Sequence, residues 1–200
     1  TRVAYEAAGT HAAVRDAVSL PGVRLAVGVL DALPKLVVRH LMEPVVREAA
    51  LRLSCDDDEF DDLLGDLALH RLDIVLADRP APHNPNLKLY SHRLASSALG
   101  WYAPTVLAAQ ARRGFPQSLA RVPVLLPTAH AAVRSRIDRW FEQHDLRPHV
   151  VGEFEDSALL KTFGADGMGV FPAPELVHED LTHRYGVRRV GHCDGVEEHF

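Results

Sequence analysis

VRLAVGVLDALPKLVVRHLMEPVV, residues 23–46, is the stretch from which the fold is read. It opens on a short, almost unbroken apolar run, passes through Leu30-Asp31-Ala32-Leu33-Pro34, and continues with apolar residues at helical spacing. That order is strand, turn, helix. The run from Arg24 to Val29 is too apolar for a half-exposed strand and suits a parallel strand buried on both faces. Asp31 is placed to cap the helix, Pro34 suits its first turn, and Leu33, Leu36, Val37, Leu41 and Val45 form the stripe that packs on the sheet. In open α/β sheets such a turn lies at the ligand-binding edge, where the helix start offers free N–H groups. Function is therefore expected to gather near Asp31.

Working outward, residues 1–18 carry Val3, Ala7, Thr10, Val14 and Ala17 at steps of four and three. This weak heptad, interrupted by Gly9, fits a dimer seam or a surface helix equally. The SLPG sequence at 19–22 breaks it. Downstream, a second strand is expected over 50–54. The acidic run 56–62 has neither the alternating oxygens nor the glycine of a hard-metal loop, so Asp57 or Asp58 is read as the cap of a helix with an acidic first turn. That helix carries Phe60, Leu63, Leu64, Leu67 and Leu72 on one face, and a third buried strand runs over 72–77. After the proline-rich loop 79–86, alternation over 87–102 reads as strand, turn, strand. A second βα series follows: helix 106–113, strand 122–126, and a long helix capped by Thr128 with Val133, Ile137, Trp140 and Phe141 inward. Strand 149–154, a helix capped by Asp156 or Ser157, short strand 169–171, helix 175–185 and strand 187–192 complete it. The class is α/β, with a second lobe that repeats the first.

Two hundred residues with 47% apolar content bury the core of one domain or two small lobes. A net charge of −5 argues against a nucleic-acid grip, which needs a clustered cationic surface. Cys55 and Cys193 are too few for a disulfide framework and fit reduced thiols. No apolar segment is long enough to span a bilayer and the N-terminus lacks a signal core, so a cytoplasmic location is expected.

The catalytic and metal patterns fail on spacing. Gly164, Gly167 and Gly169 follow a helix and precede a strand, the reverse of a phosphate-cradling loop, and read as helix stop and turn. His178 and His183 are five apart and so face different ways on a helix, while His192-Cys193-Asp194 fills only half a tetrahedral site. No serine sits in a nucleophile elbow, and no carboxylate pair is flagged by its spacing. No catalytic residue, metal or cofactor is assigned. What remains are helix starts at Asp31–Pro34, Thr128–Ala129 and Glu155–Ser157, each just after a strand. If the lobes face one another, these suit a small anion or polar ligand.

LHRLDIVLADRP (69–80), GEFEDSALLKTFGADGMGVFPAP (152–174) and VGVLDALPK (27–35) together resemble the effector-binding domain of LysR-type transcriptional regulators. The resemblance is nearest the NhaR-like branch, activators of sodium/proton antiporter expression, and covers residues 18–198. It implies two Rossmann-like lobes of the periplasmic-binding-protein type (type 2), joined by crossing strands, with a small inducer in the cleft between them. On that pattern residues 1–20 are the end of a linker helix, 21–96 and 193–200 the first lobe, and 97–192 the second, with crossings near 93–100 and 191–198. Inducer contacts carry over to Leu30, Asp31, Ala32 and Leu33, to Asp78, to Thr128 and Ala129, and to Phe154, Glu155 and Phe171. Asp31 and Glu155 would supply oxygen ligands were the signal sodium.

The resemblance further implies a ligand-sensing domain, not an enzyme, working as a homodimer or homotetramer. DNA would be reached through an N-terminal winged helix-turn-helix absent from this chain, with RNA polymerase a further partner. The chain also ends at Phe200, where the family continues with a further strand and helix. The competing class is a free-standing solute-binding protein of the same fold, which a signal peptide and a lone monomer would favour.

Overall fold

In the computed structural model, which describes residues 23–48, 51–84 and 89–200, the opening stretch forms strand β1 (Val23–Leu30) and helix α1 (Lys35–Glu48). The N-terminal heptad and the SLPG break lie outside the described residues. β1 is the central strand of a parallel sheet of order β2-β1-β3, with β2 at Leu51–Asp58 and β3 at Ile74–Leu76. Strands on both sides explain the unbroken apolar run, since Ala26 through Leu30 are all buried. Asp73 locks the entry to β3: its N–H donates to Ala26 O at 2.8 Å and its carboxylate accepts from Ala26 N–H at 2.7 Å.

Two local expectations are corrected in this region. β2 continues through Asp58, which pairs with Leu30, so Asp56–Asp58 belong to a strand rather than to a helix start. β2 is an exposed edge strand, where carboxylates stay hydrated and cost little. Helix α2 (Phe60–Ala68) is then preceded by Glu59, whose side chain makes no cap bond, although Asp61 and Asp62 do supply the acidic first turn. Of the expected α1 stripe, Leu33, Leu36 and Val37 are buried and Leu41 and Val45 partly so; Met42 is buried as well.

The described residues divide into two compact units, the first within 23–33, 38–94 and 200, the second of 34–37 and 95–199. In the second, β4 (Ser96–Pro104) runs antiparallel to both β7 (Phe171–Pro174) and β8 (Val187–His199), in the order β7-β4-β8. β5 (Pro123–Pro127) and β6 (His149–Phe154) pair in parallel, and Val124 bridges to Val170. The helices are α3 (Thr105–Arg112), α4 (Arg134–Gln143), α5 (Ser157–Ala165) and α6 (His178–Tyr185). A turn of 3₁₀ helix at Glu175–Val177 opens what the pattern reads as one helix over 175–185, and another at Gln117–Ala120 lies between α3 and β5.

The core of this unit is aromatic. Trp101 lies 5.9 Å from Trp140 and 5.6 Å from Phe141 between ring centroids, and Ile137 and Leu126 pack in the same cluster. These tilted arrangements suit the ring quadrupoles. Gly164 is required by a second contact, because a Cβ there would sit 2.1 Å from Phe171 Cδ1. The turn after α5 is the expected helix stop, with Gly167 at φ +93 and Met168 N–H donating back to Phe163 O.

Candidate functional site

Parallel strands bring their C-terminal ends to one edge of a sheet, and most of the expected ligand-contacting residues follow such ends; Phe171, which opens β7, does not. In the first unit, Leu30 ends β1 and Asp31, Ala32 and Leu33 form the turn that follows, closed by Leu33 N–H to Leu30 O at 2.8 Å. Leu30 and Leu33 are buried, Ala32 is half-buried, and Asp31 is exposed. Asp31 is not the cap of α1; Pro34 holds that position, and the helix opens with Val37 N–H donating to Pro34 O. Asp78 follows β3 at the same edge and pairs with Arg79 at 2.8 Å.

In the second unit the turns after β5 and β6 are tied together by Thr128 N–H donating to Phe154 O at 3.0 Å. Thr128 does not cap a helix. The segment 129–133 forms turns, and α4 begins only at Arg134. The Arg134 guanidinium takes over the stabilising role, donating to Pro127 O at 2.6 Å, to Asp138 at 2.9 Å, and also to Glu153. α5 does have its expected cap: the Asp156 carboxylate accepts from Ala158 N–H at 2.5 Å. Ala129 and Glu155 are exposed, and Glu155 meets His130 Nδ1 at 2.9 Å. Phe154 stacks on Phe163 at 5.2 Å, and Phe171 is wholly buried beside Tyr102.

At two of the expected helix starts the structure leaves hydroxyls unpaired, and beside them it buries a lysine that spacing did not indicate. The Thr128 and Ser157 hydroxyl oxygens are both buried with no hydrogen-bond partner among the described residues. An unpaired buried hydroxyl costs roughly 1–3 kcal/mol, so such groups call for an explanation. One turn along α5 from Ser157, Lys161 is only 3% exposed. Burial pulls its ammonium down from 10.5 to about 8, against the opposing pull of Glu198 and Asp156, with Lys35 adding to the fall. Its only signal in the sequence is a lysine set among Leu159, Leu160 and Phe163.

The local charges explain what this edge can hold. Glu153 is taken by Arg134, Glu155 by His130, and Asp156 by the start of α5. The Thr128 and Ser157 hydroxyls are left without partners, and Lys161 places a cation one turn along α5 from Ser157. Among the described residues no cluster of three or more His, Cys, Asp or Glu side chains could hold a metal ion. His178 is half-buried against Tyr102, whereas His183 is exposed with Nδ1 at 2.9 Å from Glu179 O. Burial pushes the Cys193 thiol up to about 12, while His192 pairs with Glu175. Among the described residues no helix is long and apolar enough to cross a membrane.

Comparison with known proteins agrees with this architecture. Residues 20–194 match the family model described as the LysR substrate binding domain. The chain is 29% identical over 175 residues to the transcriptional activator protein NhaR of Escherichia coli, covering 87% of this chain but only 57% of that relative's length. Among solved structures, the reduced regulatory domain of OxyR2 from Vibrio vulnificus superposes with a TM-score of 0.64 at 15% identity, over 90% of this chain and 84% of that one. The apo regulatory domain of HypT from Salmonella typhimurium gives 0.60 at 16% identity, over 88% and 83%. At those identities the structural likeness speaks for the fold, which is of the type 2 periplasmic-binding-protein kind.

Proposed function

This chain belongs to the LysR substrate-binding domain family, and on that premise we propose that it is the effector-sensing regulatory domain of an NhaR-like transcriptional activator whose effector is a small organic anion. The observation that carries the anion is the pair of partnerless buried hydroxyls, Thr128 Oγ1 and Ser157 Oγ, on the joined turns after β5 and β6. A carboxylate that accepts from both would complete them, and its charge would ease the burial of the Lys161 ammonium. Ala129, Phe154 and Glu155 border these turns, while Phe171 is buried beside Tyr102. In the first unit Leu30–Leu33 and Asp78 offer the corresponding strand-end surface. Sodium, which the NhaR resemblance raises, fits these groups less well, because Glu155 is engaged by His130.

The role is binding rather than catalysis, in the cytoplasm, with DNA and RNA polymerase met by the complete regulator. Self-association of this domain, as a dimer or tetramer, is supported by exposed apolar side chains of the second unit. Val150 and Val151 on the edge strand β6, and Leu159, Phe163 and Met168, are all exposed.

Thermal unfolding tests the reading. The chain is melted in sodium, lithium and potassium chloride at matched ionic strength, then with acetate, succinate, citrate and salicylate. A native-state ligand at a hundredfold excess over its dissociation constant stabilises by about 2.7 kcal/mol. A rise with one carboxylate that is lost in Thr128→Val supports the proposal. That substitution removes an unpaired hydroxyl, so the unliganded variant stays folded. A sodium-specific rise lost in Asp31→Ala would replace the anion with a cation.

A further inference from the structure

A cleft of about 470 Å³ in the second unit lies apart from the strand-end turns and concentrates positive charge in a chain whose net charge is −5. It is formed where the end of α3, one face of α6 and the first half of β8 meet. Arg112, Arg188 and Arg189 line it, with His178, Thr182 and His192. The only carboxylate seen against these cations among the described residues is Glu175. Even with both imidazoles neutral the cleft is left with an excess of two positive charges, three guanidiniums against one carboxylate. Its volume falls in the usual range for small-molecule sites, about 300–1,000 Å³.

Backbone irregularity makes the convergence possible. A regular strand sends consecutive side chains to opposite faces. Here Trp101 pairs with Gly191 and Tyr102 with Arg189, so Val190 is one residue more than β4 matches. That bulge re-aims its neighbours, and Arg188 through His192 come to line one cleft.

Two of the three guanidiniums, those of Arg112 and Arg189, are also held in place. Arg112 donates from Nε to Arg189 O at 2.9 Å and from Nη2 to the same oxygen, which fixes its guanidinium plane. Glu175 Oε1 sits 3.3 Å from Arg189 Nη1 and 2.7 Å from His192 Nδ1, anchoring both. Arg188 meets no partner among the described residues. Thr182 Oγ1 and His178 Nδ1 are buried without one. Guanidiniums fixed by other contacts lose little freedom on binding, and their fork geometry matches tetrahedral or planar oxyanions.

We propose that this cleft is a second ligand site, separate from the effector turns, for a small oxyanion of two or more negative charges, gripped by Arg188 with Arg112 and Arg189. It does not depend on the effector reading above.

Inorganic phosphate is the probe. Sodium phosphate is titrated into the ¹⁵N-labelled chain, with sodium chloride lowered in step to hold ionic strength constant. Saturable amide shifts grouped at residues 112, 182 and 188–192 are expected. In Arg188→Glu the affinity falls roughly tenfold or more, as loss of one charge-assisted bond requires, while Arg139→Glu, an exposed cation on α4, leaves it unchanged. Shifts centred on Thr128 and Ser157 would assign the anion to the effector turns and overturn this site. So would shifts scattered over surface cations, no saturation, or equal affinity in Arg188→Glu. Should that variant fail to fold, the shift map of the unsubstituted chain decides alone.

Discussion

Replacing Lys161 by methionine should stabilise this protein at neutral pH. The side chain is 3% exposed on α5, and its ammonium titrates at about 8 instead of 10.5, chiefly because burial penalises the charge. At about 1.4 kcal/mol per pH unit, the fall from 10.5 to about 8 is a destabilisation of about 3 kcal/mol wherever the lysine is charged in both states. Because the folded pKa lies below the unfolded one, the unfolded chain binds the extra proton between pH 8 and 10.5. Stability therefore rises with pH across that window, and the penalty is fully present below pH 8. Methionine has a similar reach and no charge, so Lys161→Met is expected to gain up to about 3 kcal/mol at pH 7, less whatever Glu198 and Asp156 lose with their neighbouring cation. Urea unfolding of both proteins at pH 7, 8, 9 and 10 measures it. The difference between them should shrink by about 1.4 kcal/mol per pH unit above pH 8. A variant less stable than the parent at pH 7, or a difference that ignores pH from 8 to 10, would refute the reasoning.

Two further substitutions probe the scaffold of the same unit. Gly164→Ala places a methyl 2.1 Å from a ring atom of Phe171, which is itself fully buried and cannot swing away; a loss of about 2–3 kcal/mol in chemical denaturation is expected. Asp156→Ala removes the cap of α5 and should cost about 1 kcal/mol in the same assay, whereas Asp156→Asn, which can still accept from Ala158 N–H, should keep most of the stability.

Much of the fold is legible in residues 23–46, because a run that is apolar at every position has no face to turn to water and must be paired on both sides. The α5 cap was equally legible, since Asp156 stands directly before an apolar helical pattern. Asp57 and Asp58 misled because an acidic run suits a helix start and an exposed strand edge alike, and only the pairing of Asp58 with Leu30 separates them. Thr128 misled in the same way: strand followed by threonine is an N-cap pattern, yet the helix starts six residues later, where Arg134 grips Pro127 O.

The sequence by itself determined the α/β class, the repeated strand-turn-helix units and the strand-end turns where a ligand is expected, because periodicity records which face of each local element is buried. Tertiary structure alone decided which polar groups would be left without partners and which charges would converge. Thr128 is brought to Phe154 by a parallel pairing, and Arg112 reaches across 77 positions to Arg189. One unmatched residue at Val190 sets the faces of the cations around it. A local pattern carries no record of such a register, since it arises only when distant strands pair and a single extra residue re-aims the side chains that follow.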